Sequence, residues 1–293
     1  MPDWTALTAE INRLTGDVVS PAALGTASGG CINRTAVLDG RTSRYFLKYN
    51  EPARLDMFAA EAEGLEALGA ARAVRVPKPI CWGTAGGVAF LVLEHLDLAP
   101  ADARTQALLG ERLAALHGVT RPQHGWHRDN TIGTTPQHNA QTPNWAEFFR
   151  EQRLRPQLQL ASEHGYWELT RAGEKLLVHV DALLAGHAPA ASLLHGDLWG
   201  GNAAATAAGE PVIFDPAVYF GDREADIAMT ELFGGFANTF YEAYRAAWPL
   251  PPGYRTRRTL YNLYHVLNHA NLFGGGYADQ ARRMIDALLA EVR

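Results

Sequence analysis

The chain is 293 residues long, with 47% hydrophobic and 19% charged residues, ordinary proportions for a globular protein with a substantial buried core. A formal net charge of −5 lacks the basic excess of a nucleic-acid binder, and no apolar run reaches membrane-spanning length, so neither partner is expected. Its two cysteines, Cys31 and Cys81, form neither a CxxC pair nor a disulfide framework, so the expectation is a reducing, cytoplasmic setting for a monomer or homodimer.

Near the N-terminus, Trp4, Leu7, Ile11 and Leu14 recur at helical spacing among early acids, which predicts an amphipathic helix and not a signal peptide. Residues 18–50 alternate apolar and polar side chains and are broken by Ser28-Gly29-Gly30 and Asp39-Gly40. That turn chemistry predicts three short antiparallel strands. Met57, Phe58, Ala62, Leu65 and Leu68 predict a helix closed by Gly69. After Pro77 and Pro79, two further strands are expected at 80–82 and 88–93, around Gly86-Gly87. Beyond Asp102 the character turns helical, with helical periodicity at 107–117, 145–160, 169–184 and 260–273. A strand-like island at 192–195 and 211–214 interrupts those helices, and no internal repeat appears. The expected fold class is α+β. A small β-rich N-lobe (1–95) is followed, through a connector at 94–100, by a larger, mainly helical C-lobe (96–293), with a cleft between them.

The strongest chemical signal is His195-Gly196-Asp197-Leu198-Trp199-Gly200-Gly201-Asn202, where an Asp precedes an Asn by five positions on a loop after a short apolar strand. This is the spacing of a kinase catalytic loop. Asp197 would orient the attacking hydroxyl and accept its proton, while the Asn202 amide oxygen would ligate magnesium without adding charge repulsion. Asp215, after Val212-Ile213-Phe214, would be the second ligand, because magnesium takes hard oxygen donors. Upstream, Lys48 ends a strand and Glu61 lies thirteen positions on, in the next helix. In kinases a strand lysine held by a helix glutamate reaches the α/β-phosphates of ATP. Glu63 is the rival partner, but it points elsewhere on the helix, so only one of the two acids can face Lys48. Ser28, Gly29 and Gly30 fall where a loop covers phosphates in kinases, although an ordinary hairpin turn has the same composition. Glu94 and Leu96 fall where a connector's backbone would meet adenine.

Several stretches make the resemblance narrower than a protein kinase-like two-lobed fold. They are SGGCIN at 28–33, FLKYN at 46–50, DNTIGTTPQ at 129–137, WAEFFREQR at 145–153, HGDLWGGN at 195–202 and GDREADIA at 221–228. Over nearly its whole length the chain resembles the fructosamine (ketosamine-3-) kinase family, within the wider aminoglycoside phosphotransferase and choline kinase-like group. The resemblance implies ATP- and Mg2+-dependent phosphorylation of a sugar hydroxyl on ketosamines, small glycated amines. It also implies that Lys48, Glu61, Asp197, Asn202 and Asp215 occupy the family's kinase positions and that Trp199 stacks on a sugar face. One departure is Ala27-Ser28, where a further glycine is expected.

Two features favour a small acceptor over a protein: Asp215 is followed by Pro216-Ala217 in place of Phe-Gly, and no A-P-E signature follows. Asp129 and Asn130 open a polar insert between helices that reads as part of the acceptor site. Asp222 is expected near the cleft mouth, facing a cationic amine, or else as a first-turn acid favoured by the helix dipole. Asp226 either braces the catalytic-loop backbone or is a plain exposed helix acid. Cys31, beside Gly29-Gly30, reads either as a buried structural thiol or as a reactive one acting as a redox brake. The competing functions are a same-fold kinase for an aminoglycoside, choline or a homoserine-like acceptor, and a nucleotide-binding pseudokinase.

Overall fold

The structure is a computed structural model that describes residues 2–23 and 32–292; Ser28, Gly29, Gly30 and Cys31, with their phosphate-loop and redox expectations, lie outside the described residues. Asp3 caps helix α1 (Trp4–Thr15) by accepting the Thr5 and Ala6 amides at 3.0 and 3.2 Å, and Gly16 ends it at φ +72°. Five antiparallel strands follow around one long helix: β1 (Ser20–Ala23), β2 (Arg34–Asp39), β3 (Arg44–Asn50), α2 (Leu55–Ala70), β4 (Pro79–Ala85) and β5 (Val88–Glu94). The sheet order is β1-β2-β3-β5-β4. Alternation along β3 divides the two faces. Tyr45 and Leu47 pack with Leu7 and Ile11 of α1, whereas Lys48 points to the α2 side. Gly69 does not stop α2 but lies inside it, one residue before its end.

The remainder comprises β6 (Leu98–Ala99), α3 (Ala103–His117), β7 (Thr120–Arg121), β8 (Asn130–Ile132) and β9 (Thr135–Gln137), then α4 (Trp145–Phe148), which runs through a π-helical turn (Phe149–Leu154) into α5 (Arg155–Glu163), followed by α6 (Trp167–Leu177) and α7 (Val180–Leu183). Strands β10 (Ala191–Leu194), β11 (Ala203–Thr206), β12 (Pro211–Ile213) and β13 (Tyr219–Gly221) carry the loops between them. Helices α8 (Glu224–Leu232), α9 (Asn238–Ala247), α10 (Tyr254–Phe273) and α11 (Tyr277–Ala290) finish the fold.

Two local differences from the sequence reading have physical reasons. The polar insert at 129–137 is a β-hairpin, β8 paired with β9. Its inward positions are Ile132, Thr135 and Gln137, so no apolar alternation announces it. The periodicity at 145–160 hides a π-helical turn, whose extra residue buries the Arg153 guanidinium over the Phe148 and Tyr219 rings at 4.7 and 4.0 Å. The connector at 94–100 is no free linker, in keeping with its short length, because β6 pairs with β11. One apolar cluster joins Phe58, Leu65 and Leu68 of α2 to Leu109 and Leu113 of α3, Val218 and Phe240, so α2 packs on both lobes.

Candidate active site

β10 leads directly into the His195–Asn202 loop, and β12 ends two residues before Asp215. Three hydrogen bonds knit these two segments together, and a fourth braces the loop internally. Ala217 N–H donates to the His195 carbonyl (2.9 Å), and Phe214 N–H donates to the Asn202 carbonyl (3.1 Å). His195 donates from Nε2 to the Phe214 carbonyl (2.9 Å) and accepts the Asp197 amide at Nδ1 (3.3 Å). Burial lowers the His195 pKa, which suits the neutral tautomer that this pattern requires. Gly196 has φ +83°, and a Cβ there would lie 2.0 Å from the Ala217 carbonyl oxygen, so only glycine fits.

Asp226 of α8 is the brace, not an exposed acid. It is 1% exposed and accepts the amides of His195 (2.7 Å) and Gly196 (2.9 Å). His117 also approaches it, Nε2 to Oδ2 at 3.1 Å, while His117 Nδ1 meets the Tyr244 hydroxyl at 2.8 Å, and Arg223 donates to that hydroxyl at 3.0 Å. Burial works against the Asp226 charge, but His117, His195 and the Gly196 amide outweigh it and hold the pKa below the ordinary range.

Lys48, on β3, is buried between two acids. Its Nζ lies 2.6 Å from Glu61 Oε1 of α2 and also pairs with Asp215. Burial opposes the ammonium, yet the two carboxylates win and raise its pKa; burial in turn raises that of Glu61. Glu63 faces away from Lys48 and pairs with Arg128 at 2.7 Å and His127 at 3.0 Å. Asp215 adopts φ +57°, a left-handed backbone that Asp tolerates better than most side chains. The Asp197 carboxyl is pushed up to about 7, first by burial and then by the neighbouring Asp215 and Asp226 charges. Asn202 donates Nδ2 to the Asp197 carbonyl at 2.9 Å, leaving its Oδ1 as the acceptor end of the amide.

Lys48, Glu61, Asp197, Trp199, Asn202, Asp215 and Asn130 all line one cavity of about 560 Å³. Trp199 is 41% exposed, so it is no core prop; its ring lies over Gly201 and meets Phe233 edge-on at 6.5 Å. His265, His269 and Phe273 continue the same wall. They recur every four residues along α10, a helical stripe that the sequence reading passed over and could have used. Burial lowers both histidine pKa values, that of His265 to about 3, so this wall presents neutral rings.

Other expected site residues lie apart from the cavity. Asp222 is not at a cleft mouth: it is 1% exposed and binds His187 Nε2 and the Tyr261 hydroxyl, both at 2.6 Å, while capping the Glu224 amide at 3.0 Å. Asp129 accepts the Asn139 amide at 2.8 Å and pairs with His138, so it shapes the hairpin base. The Glu94 side chain is held by Arg75, and its amide donates to the Lys78 carbonyl at 2.8 Å. Neither Glu94 nor Leu96 lines the cavity. Burial pushes the Cys81 thiol up to about 11, away from thiolate reactivity.

Comparison with known proteins bears on the family and the fold. A Synechocystis protein named "Probable ketoamine kinase" is 46% identical over 292 residues, covering 98% of this chain and 97% of its own length. A chloroplastic protein-ribulosamine 3-kinase of Arabidopsis thaliana is 40% identical over 278 residues, covering 94% and 85%. Among solved structures, one from Haemophilus somnus 129PT, described as a fructosamine-3-kinase, superposes with a TM-score of 0.88 at 29% identity, over 98% and 97% of the two chains. Choline kinase LicA from Streptococcus pneumoniae shares the fold at a TM-score of 0.63 and 13% identity, over 97% and 98%. The family model described as fructosamine kinase matches residues 3–291, and the chain therefore belongs to the fructosamine kinase family, as a phosphotransferase of kinase-like fold.

Proposed function

We propose that this enzyme uses ATP and Mg2+ to phosphorylate a sugar hydroxyl of ketosamines, small glycated amines, in the cytoplasm. The observation that carries the reading is the convergence of Lys48, Glu61, Asp197, Asn202 and Asp215 on one cavity whose outer wall is aromatic and neutral. Asp197 accepts the proton of the attacking hydroxyl as the new oxygen–phosphorus bond forms and the bond from the γ-phosphorus to the ADP oxygen breaks. Lys48, oriented by Glu61, holds the α/β-phosphates. The donor set suits magnesium: the free Oδ1 of Asn202 and the Asp215 carboxylate are hard oxygens, and they would hold it. Held there, the ion would supply neutralisation of the charge that develops on the transferred phosphoryl group. The connector's Glu94 and Leu96 do not line the cavity, so adenine would meet the Leu96 amide and the Glu94 carbonyl beyond it, the Glu94 and His95 amides being taken by Lys78 and Arg44.

Among the described residues, the acids lining the cavity are Glu61, Asp197 and Asp215, all used in phosphoryl transfer, which leaves little to hold a polycationic aminoglycoside. The deciding experiment is a panel of fructose-, ribulose- and psicose-amine adducts beside choline and kanamycin, read by ATP turnover, with the products located by phosphorus NMR. Ketosamines should be phosphorylated far faster, and Asp197→Asn should lose roughly 10²- to 10⁴-fold in turnover while still binding nucleotide. Comparable rates on choline or kanamycin, or near-wild-type turnover by the variant, would sink the reading.

A further inference from the structure

Helix α2 is gripped on two sides. Glu61 reaches Lys48, while Asp56 and Glu63, seven residues apart and so on one stripe, both reach Arg128. At about 100° per residue, Glu61 and Glu63 point to nearly opposite sides of the helix. His127 adds a second contact to Glu63 at 3.0 Å. Arg128 therefore fixes the rotation and height of the helix that presents Glu61.

The segment that carries Arg128 is itself rigidly mounted on the larger lobe. Gly125 exchanges backbone hydrogen bonds with Phe220 (2.8 and 2.9 Å), His124 pairs with Thr142, and Trp126 N–H donates to the Asn139 carbonyl at 3.0 Å. The Arg128 carbonyl accepts Asn139 Nδ2 at 3.1 Å. Two residues on, the β8–β9 hairpin forms a wall of the cavity through Asn130, Thr131, Ile132 and Gly133. Asn130 donates to the Val218 carbonyl (2.9 Å) and Gln137 to the Ala217 carbonyl (3.1 Å), just beyond Asp215. At the hairpin tip Gly133 adopts φ +64°, and a Cβ there would lie 3.1 Å from both Ile32 of the smaller lobe and Leu272 of α10.

A ligand that presses on this hairpin thus acts on the same short segment that holds α2 and, through Glu61, the phosphate-binding Lys48. We propose that Arg128 is a positioning residue that couples occupancy of the acceptor side of the cavity to nucleotide binding at Lys48. The proposal rests on the reading that the acceptor lies beside the hairpin. By linkage, the acceptor then tightens the nucleotide by the same factor as the nucleotide tightens the acceptor.

The test is calorimetric titration of Mg·ADP into the full chain with and without a 1-deoxy-1-amino-fructose. In wild type the ketosamine should tighten ADP by about 5-fold or more, within the usual range of coupling factors. Arg128→Gln should bring that factor close to one, with the ADP affinity measured alone changed far less. Arg128→Lys should restore part of it, since a point charge can replace some of the pairing. Glu63→Gln should reproduce the loss, and this variant serves as the readout if Arg128→Gln does not fold. Combining the two should add nothing further. A wild-type coupling factor in Arg128→Gln or Glu63→Gln, with or without a fall in Tm, would overturn the proposal, as would the absence of coupling in wild type. The functional reading stands or falls separately, on whether ketosamines are turned over at all.

Discussion

At the scale of single residues, Asp197 is the most consequential. A carboxyl pushed up to about 7 by burial, then by Asp215 and Asp226, is protonated below neutrality and cannot then accept a proton from the attacking hydroxyl. Activity should therefore rise with pH through about 7, and not near the ordinary carboxylate value. The check is the acid limb of kcat/KM with nucleotide as the varied substrate; a limb near pH 4 would remove Asp197 from the role of base. Trp199 is the second such residue. It is exposed on the cavity wall, edge-on to Phe233, and in the proposed reading its ring faces the acceptor. Trp199→Ala should raise the ketosamine KM by roughly 10-fold, corresponding to about 1.4 kcal/mol, and leave the ATP KM nearly unchanged. Equal changes in both constants would assign the ring to holding the loop.

At the scale of elements, the proposed catalytic loop at 195–202 is held by α8 and α3. Asp226 and His117 together form a polar post under His195 and Gly196, completed by Tyr244 and Arg223. In Asp226→Asn, the amide –NH2 would face a backbone N–H in either orientation, that of Gly196 at the Oδ1 position or that of His195, beside His117, at the Oδ2 position. The loop should shift by a fraction of an ångström, enough to cost on the order of 10²-fold in kcat. Single-turnover kinetics would read that loss, with nucleotide affinity expected to change little. A kcat within a factor of two of wild type would show that the loop holds its shape without the brace.

At the scale of the whole molecule, each lobe has an apolar cluster of its own, and a third cluster joins the two. Phe58, Leu65 and Leu68 of α2 share one apolar cluster with α3, Val218 and Phe240, and Gly64 brings the α2 backbone close to Val218, where an added Cβ would lie 3.0 Å from Cγ2. We propose the boundary near residue 95 as a functional division between nucleotide and acceptor sides, not as two folding units. The chain should accordingly unfold in one cooperative transition, with calorimetric and van't Hoff enthalpies that agree. An isolated 1–95 fragment should lack a cooperative transition, because it would expose the α2 face that the larger lobe covers. Two resolved transitions, or a stably folded fragment, would contradict this.

The sequence by itself determined the elements with strong local signals. The hairpin strands, α1 and α2 were legible because alternation and helical spacing follow from which face is buried. Five polar positions, Lys48, Glu61, Asp197, Asn202 and Asp215, could be proposed from residue type and order along the chain, and the structure brings all five to one cavity. What only the tertiary structure decided concerns side chains whose role depends on a distant partner. Asp222 and Asp226 lie four residues apart on the same segment, yet one is locked to His187 and Tyr261 and the other holds the catalytic loop. Glu61 and Glu63 were separable in direction from the helix period, but the identity of Arg128 as the second partner came from chain folding across 65 residues. The β8–β9 hairpin gave no apolar alternation, and the His265–His269–Phe273 spacing was present in the sequence but not its place on a cavity wall. Their inward faces are polar or aromatic because they border a cavity, and hydrophobic periodicity reports burial in a core, not the wall of a binding site.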